Sequence, residues 1–169
     1  FDERGIVPYA KPAVSLVINA CRPNAKGRVR LRSADPAAAP VIEHRMFTDS
    51  EDLRRQVAGG RLARQMLQSA AFRPYLLREF LPGNGVETDA DWEQAIRRTS
   101  FLGYHPIGTC RMGPSGDPMA VLDSRMRVIG IEGLRVCDLS AMPNINAGNT
   151  NAPAMMLGSR CAELALQRR

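Results

Sequence analysis

The stretch "GYHPIGTCRMG" (Gly103–Gly113) places one of the chain's two histidines, His105, between a glycine-tyrosine step and a Pro-Ile-Gly-Thr turn. Glycine and proline in that density fix backbone turns. A rigid loop is what a general base requires, because its imidazole must be held in one tautomer and orientation. By itself a lone histidine is more often a hydrogen-bonded structural residue; the flanking Gly103, Pro106 and Gly108, with the Thr109 hydroxyl nearby, favour the chemical reading. The other histidine, His44, lies in the charged, extended "IEHRM" and reads as structural.

A second stretch, "NINAGNTNAP" (Asn144–Pro153), combines asparagines and a glycine just ahead of an apolar helical pattern. One reading is a well-capped loop, with Asn151 as N-cap and Pro153 in the first turn. The other is a helix N-terminus whose free amides and partial positive charge hold an anion, with the Asn149 amide aimed into the same space. No G-x-G-x-x-G, G-x-x-x-x-G-K-[ST] or G-x-S-x-G motif is present, and Asp123, Glu132 and Asp138 show no spacing that pairs them.

Elements must hold these loops. Ala13–Ala20 alternates as a strand, with Val14, Leu16 and Ile18 on one face. "GRVRLRS" (Gly27–Ser33) sets Val29 and Leu31 against arginines as a half-buried strand. The intervening "CRPNAKG" suits an antiparallel connection between the two, and "ADPAAAPVIEHRMF" reads as an extended crossing loop. Thr48-Asp49-Ser50-Glu51 has capping-box spacing and opens a helix to about Ser69, with Gly59-Gly60 weakening its middle. A short helix over Arg73–Phe80 and another from Thr88/Asp91 to about Thr99, carrying Trp92 and Ile96, follow. Short strands are expected around Arg127–Ile129 and Leu134–Cys137, and a largely buried helix over Asn151–Gln167.

The 169 residues are 44% hydrophobic, enough for a core, with no apolar run of the roughly 18 residues a transmembrane helix needs. The opening "FDERGIVPYAKP" has no basic n-region or apolar h-region, so it does not read as a signal peptide; it reads as the middle of something longer. The net charge of +6 comes largely from arginines scattered among acids, from Arg54 and Arg55 to Arg168 and Arg169. Solvated helix faces account for them, and no nucleic-acid partner is expected. Cys21, Cys110, Cys137 and Cys161 show no metal-ligand spacing, and are expected to be reduced thiols of a cytoplasmic protein, with a peripheral place at the inner membrane left open.

With His105 and Asn149 both in view, three stretches resemble the C-terminal part of the glucose-methanol-choline (GMC) oxidoreductases: "YHPIGTCRMG", "VLDSRMRVIGIEGLRVCDLSAMP" and "NAGNTNAPAMMLGSRCAELA". Upstream, "RPNAKGRVRLRSADPAAAPVIEHRMF" resembles the family's substrate-domain strand and following loop. Asn149 in "NTNAP" aligns the resemblance with the alcohol and choline dehydrogenases, where glucose-oxidase-like members place a second histidine. The resemblance implies FAD as cofactor, a small-molecule alcohol as substrate, and hydride transfer from the alcohol carbon to the flavin. It makes His105 the base and Asn149 the residue that hydrogen-bonds the substrate oxygen. Tyr104, Thr150 and Asn151 would line the isoalloxazine, and Asp138 and Leu139 the ribityl-phosphate region.

The implied fold is α+β: residues 1–113 as an antiparallel-sheet substrate-domain portion ending in the histidine loop, and residues 114–169 as strands and a helix returning to the FAD-binding domain. The family's phosphate-binding glycine segment is not among these residues. The expectation is a catalytic portion that needs that segment, or a partner chain supplying it, and is inactive alone. A non-catalytic binding or assembly fragment retaining the motif is the alternative.

Overall fold

The computed structural model describes residues 11–167; the reading of the first ten residues and the arginines at 168 and 169 lie outside them. Backbone contacts divide the chain into two units. One combines the described part of Phe1–Gly27 with His44–Gly103, and the other combines Arg28–Glu43 with the described part of Tyr104–Arg169.

In the first unit, helices α1 (Ser50–Leu67) and α2 (Asp89–Thr99) pack together. Their apolar stripes bury Leu53, Val57, Trp92 and Ile96, with Phe47 and Val86 against them. α2 starts as its spacing predicts: the Thr88 side chain accepts from the Asp91 N–H while the Asp91 side chain accepts from the Thr88 N–H. α1 departs by one residue. Its N-cap is Asp49, which accepts from the Glu51 N–H at 2.9 Å, while the Thr48 hydroxyl donates back to the Arg45 carbonyl. Glu51 is thereby free to face Arg54 and Arg55.

The Gly59-Gly60 step has a packing cause. A Cβ on Gly60 would stand 2.6 Å from the Trp92 ring, and one on Gly59 would stand 2.5 Å from Ile18 Cγ2. Arg64 lies 4.4 Å over the same indole and pairs with Glu79. Asp52, buried on α1, accepts the backbone N–H groups of Asn24 and Ala25 at 2.8 Å each, tying the "CRPNAKG" loop to the helix.

Several expected elements do not form. Ala13–Ala20 is irregular: among the described residues no strand pairs with it, and Val14 and Val17 stay exposed while Ile18 seats on Gly59. The partner of β1 (Arg28–Arg30) is β2 (Val41–Glu43), from within the segment expected to be a crossing loop. The pair is antiparallel, with Arg28 opposite Glu43, and β1 is exposed rather than half-buried. Arg73–Phe80 yields only a 3-10 turn at Arg73–Tyr75, because Leu77 has no apolar surface to cover and Glu79 turns to Arg64.

The second unit is mostly irregular backbone held by α3 (Asn151–Leu166). Arg127–Ile129 and Leu134–Cys137 meet in a single bridge, Arg127 to Arg135, because Gly130 and Gly133 turn the chain between them at positive φ. α3 buries one face, where Leu157, Cys161 and Leu164 pack on Met126, Met112 and Met142; Met155, Met156 and Leu166 remain exposed, so the helix is not largely buried. The same packing brings Cys161 to Cys137, with Cα atoms 5.9 Å apart, and the two are joined in a disulfide. That corrects the expectation of four reduced thiols and removes one support for a cytoplasmic placement; Cys21 and Cys110 are free. Among the described residues no helix is long and apolar enough to cross a membrane, and no group of metal-ligating side chains is present. The architecture is α+β.

Candidate functional site

The histidine loop is laid down by a run of backbone hydrogen bonds. Gly108, Cys110 and Met112 donate in turn to the carbonyls of Leu139, Ser140 and Ala141, a 3-10 turn. The Asp138 carboxylate closes that turn by accepting from both the N–H and the hydroxyl of Ser140. The Ser140 hydroxyl, and then its N–H, hold the Asp138 carboxyl below the ordinary carboxylate range. α3 packs against the same turn. One short segment therefore sets both the loop that carries His105 and the helix that begins after Asn149.

Those two meet. His105 Nδ1 lies 2.8 Å from the Thr150 hydroxyl, across 45 residues of sequence, and the Thr150 backbone N–H reaches the same nitrogen at 3.5 Å. His105 is half-buried and Thr150 is buried, at 1% exposure. Immediately before the histidine, Tyr104 takes a left-handed backbone, φ 61°, and is 74% exposed. A left-handed non-glycine residue carries local strain that its surroundings must hold, a condition concentrated at functional sites.

The other sequence-derived candidates distribute around this contact in the same unit. Asn149 and Asn151 are exposed on either side of Thr150. Asn151 is the first residue of α3 rather than its cap, since the Thr150 carbonyl already accepts the Ala154 N–H. Leu139 is half-buried in the 3-10 turn, and Asp138 spends its carboxylate on Ser140. The contact between His105 and Thr150 is what sequence reasoning missed. A pairing so distant along the chain has no local signature, although Thr before an N-x-P helix start marks an unusual cap.

The residues fit a flavin. α3 opens without a side-chain cap, leaving first-turn amide donors for an electron-rich acceptor. The neighbouring Asn146 closes the loop on Gly148 with its amide nitrogen, and its Oδ1 is a buried acceptor without a hydrogen-bond partner among the described residues. Donors and a spare acceptor together, with no carboxylate at the helix start, suit a polar, partly anionic cofactor edge.

Comparison with known proteins gives the family. The family model described as GMC oxidoreductase matches residues 23–158. The chain is 44% identical over 138 residues to an oxygen-dependent choline dehydrogenase of Rhizobium johnstonii, covering 82% of this chain and 25% of that protein. It is 42% identical over 159 residues to the choline oxidase of Arthrobacter globiformis, covering 93% and 29%. Its backbone is similar to that of an FAD-dependent oxidoreductase from Chaetomium thermophilum, with a TM-score of 0.80 and 29% identity over 86% of this chain and 25% of the other. The chain thus spans between a quarter and three tenths of the length of the curated relatives it matches. The histidine loop, the 3-10 turn that anchors it and the start of α3 all fall within the matched span, and the chain belongs to the GMC oxidoreductase family.

Proposed function

We propose that this chain is the substrate-facing catalytic portion of a flavoprotein that oxidises the CH–OH group of a small alcohol, choline being the first candidate. The observation that carries the reading is the His105 imidazole, tethered through Nδ1 to the start of α3 in a chain so similar to choline-oxidising proteins.

FAD, when bound, supplies the hydride acceptor. Everything else falls to side chains of this chain. With Nδ1 engaged by Thr150, Nε2 is the nitrogen that meets the substrate hydroxyl, and His105 takes its proton there as the carbon–hydrogen bond breaks. Asn149, exposed beside Thr150, hydrogen-bonds the substrate oxygen and holds it in a reactive pose. Tyr104 and Asn151 would hold the flavin ring system and Leu139 its ribityl side, and the uncapped amides of α3 would favour negative charge next to them. Asp138, engaged with Ser140, supports the ribityl-phosphate region by fixing the 3-10 turn.

Residues 1–113 serve as the substrate-domain portion and residues 114–169 as a return to the FAD-binding domain, whose phosphate-binding glycine segment comes from elsewhere in the polypeptide or from a partner chain.

The test is a visible spectrum of the protein that carries this chain, followed by anaerobic addition of choline and of simple primary alcohols. Flavin bands that bleach with at least one alcohol support the reading. A flavin-free protein, or flavin that no alcohol bleaches, overturns it.

A further inference from the structure

Thr150 occupies the N-cap position of α3, yet its hydroxyl makes no capping bond. An N-cap threonine ordinarily accepts from the N–H at the second or third helical position. Here the third helical residue is Pro153, which has no N–H to donate. The hydroxyl is buried and must find another partner. Its partner is His105 Nδ1 at 2.8 Å.

We propose that Thr150 is the positioning residue for His105: the Thr150-x-x-Pro153 start of α3 releases a cap hydroxyl from the helix so that it holds the imidazole through Nδ1 and leaves Nε2 as the reacting nitrogen. The hydrogen bond made by one ring nitrogen of a histidine sets which nitrogen is available to a partner. A neutral imidazole that takes a proton at Nε2 must already carry its hydrogen on Nδ1, so the Nδ1–H donates to the Thr150 hydroxyl oxygen both before and after the transfer. The 2.8 Å bond between buried Thr150 and Nδ1 also restricts rotation of the ring. The assignment rests on the base role proposed for His105, and it gives Thr150 a task distinct from contacting the flavin.

The experiment compares Thr150→Val, which keeps the shape and removes the hydroxyl, with Thr150→Ser, which keeps the hydroxyl, in the flavin-loaded protein that carries this chain. Two readouts are taken: the limiting rate of anaerobic flavin reduction by an alcohol, and the nitrogen-15 resonances of His105, assigned by their loss in His105→Gln. Thr150→Val is expected to lower the limiting rate about 10- to 100-fold, with half-saturation moving far less. Thr150→Ser should recover most of that rate. In wild type and Thr150→Ser the nitrogen spectra of neutral His105 should report a fixed tautomer protonated at Nδ1, and in Thr150→Val an average over tautomers.

Equal rates and equal nitrogen spectra in wild type and Thr150→Val overturn the proposal. So does a Thr150→Ser variant as slow as Thr150→Val, since packing would then be the cause. A wild-type imidazole that averages freely between tautomers, or one fixed with a bare Nδ1, overturns it whatever the variants do. If no alcohol reduces the flavin, the proposed function fails, while the nitrogen spectra still decide the pairing of Thr150 with His105.

Discussion

Gly108 and Met142 approach backbone to backbone: a Cβ on Gly108 would stand 3.3 Å from the Met142 carbonyl oxygen, and Gly108 already sits at φ +85°. Its N–H donates to Leu139, so this glycine is where the histidine loop docks on the 3-10 turn. Gly108→Ala adds both left-handed strain and a tight contact, and is expected to destabilise the second unit by about 1–2 kcal/mol. Denaturant unfolding of the variant checks this, and an unchanged midpoint would mean that the loop docks elsewhere.

Gly60→Ala sets two effects of opposite sign against each other. Alanine in a helix interior ordinarily gains up to about 1 kcal/mol over glycine. At this position the new methyl would lie 2.6 Å from the Trp92 ring, which is only 3% exposed. Overpacking of a filled core costs about 1–3 kcal/mol, so the variant should be less stable than wild type. A higher melting temperature would show that Trp92 moves aside freely.

The cysteines give a chemical count. Cys137 and Cys161 are joined, whereas Cys21 and Cys110 are free and half-buried. Alkylation of the denatured, unreduced chain should add two labels, and prior reduction should raise the number to four. Four labels without reduction would remove the bond, and with it the covalent tie between α3 and the segment leading into the 3-10 turn.

Acid should act on the β1–β2 pair through Glu43. The Arg28 side chain, and then Arg30, hydrogen-bond its carboxylate and lower its pKa from 4.5 to about 2. A carboxylate whose pKa is depressed in the folded state stabilises that state above its unfolded value. The contribution is therefore whole above about pH 4.5 and is lost as the pH falls towards 2. Carbon-13 titration of Glu43 should show the low midpoint in wild type and a return towards 4.5 in Arg28→Gln. Coincident midpoints in the two proteins would show that the pair does not persist in solution.

What the sequence conveyed and what it hid follow from the range of the interactions. The start of α2 was legible because Thr88 and Asp91 satisfy each other within one turn. α1 slipped by one residue because Thr48 and Asp49 compete for the cap, and the Thr48 hydroxyl is drawn back to Arg45. The partner of β1 was misjudged because "VIE" is too short, among prolines, to show a period of two. His105 and Asn149 stood out by residue type and loop chemistry. The role of Thr150 did not, since it depends on two loops converging on Leu139–Ala141.

The central claim is that His105 takes the proton when the substrate is oxidised, and the limiting rate of anaerobic flavin reduction in His105→Ala tests it most directly. With flavin content unchanged, loss of the base should slow reduction about 10²- to 10⁴-fold at saturating alcohol. A variant that reduces its flavin as fast as wild type would contradict the account.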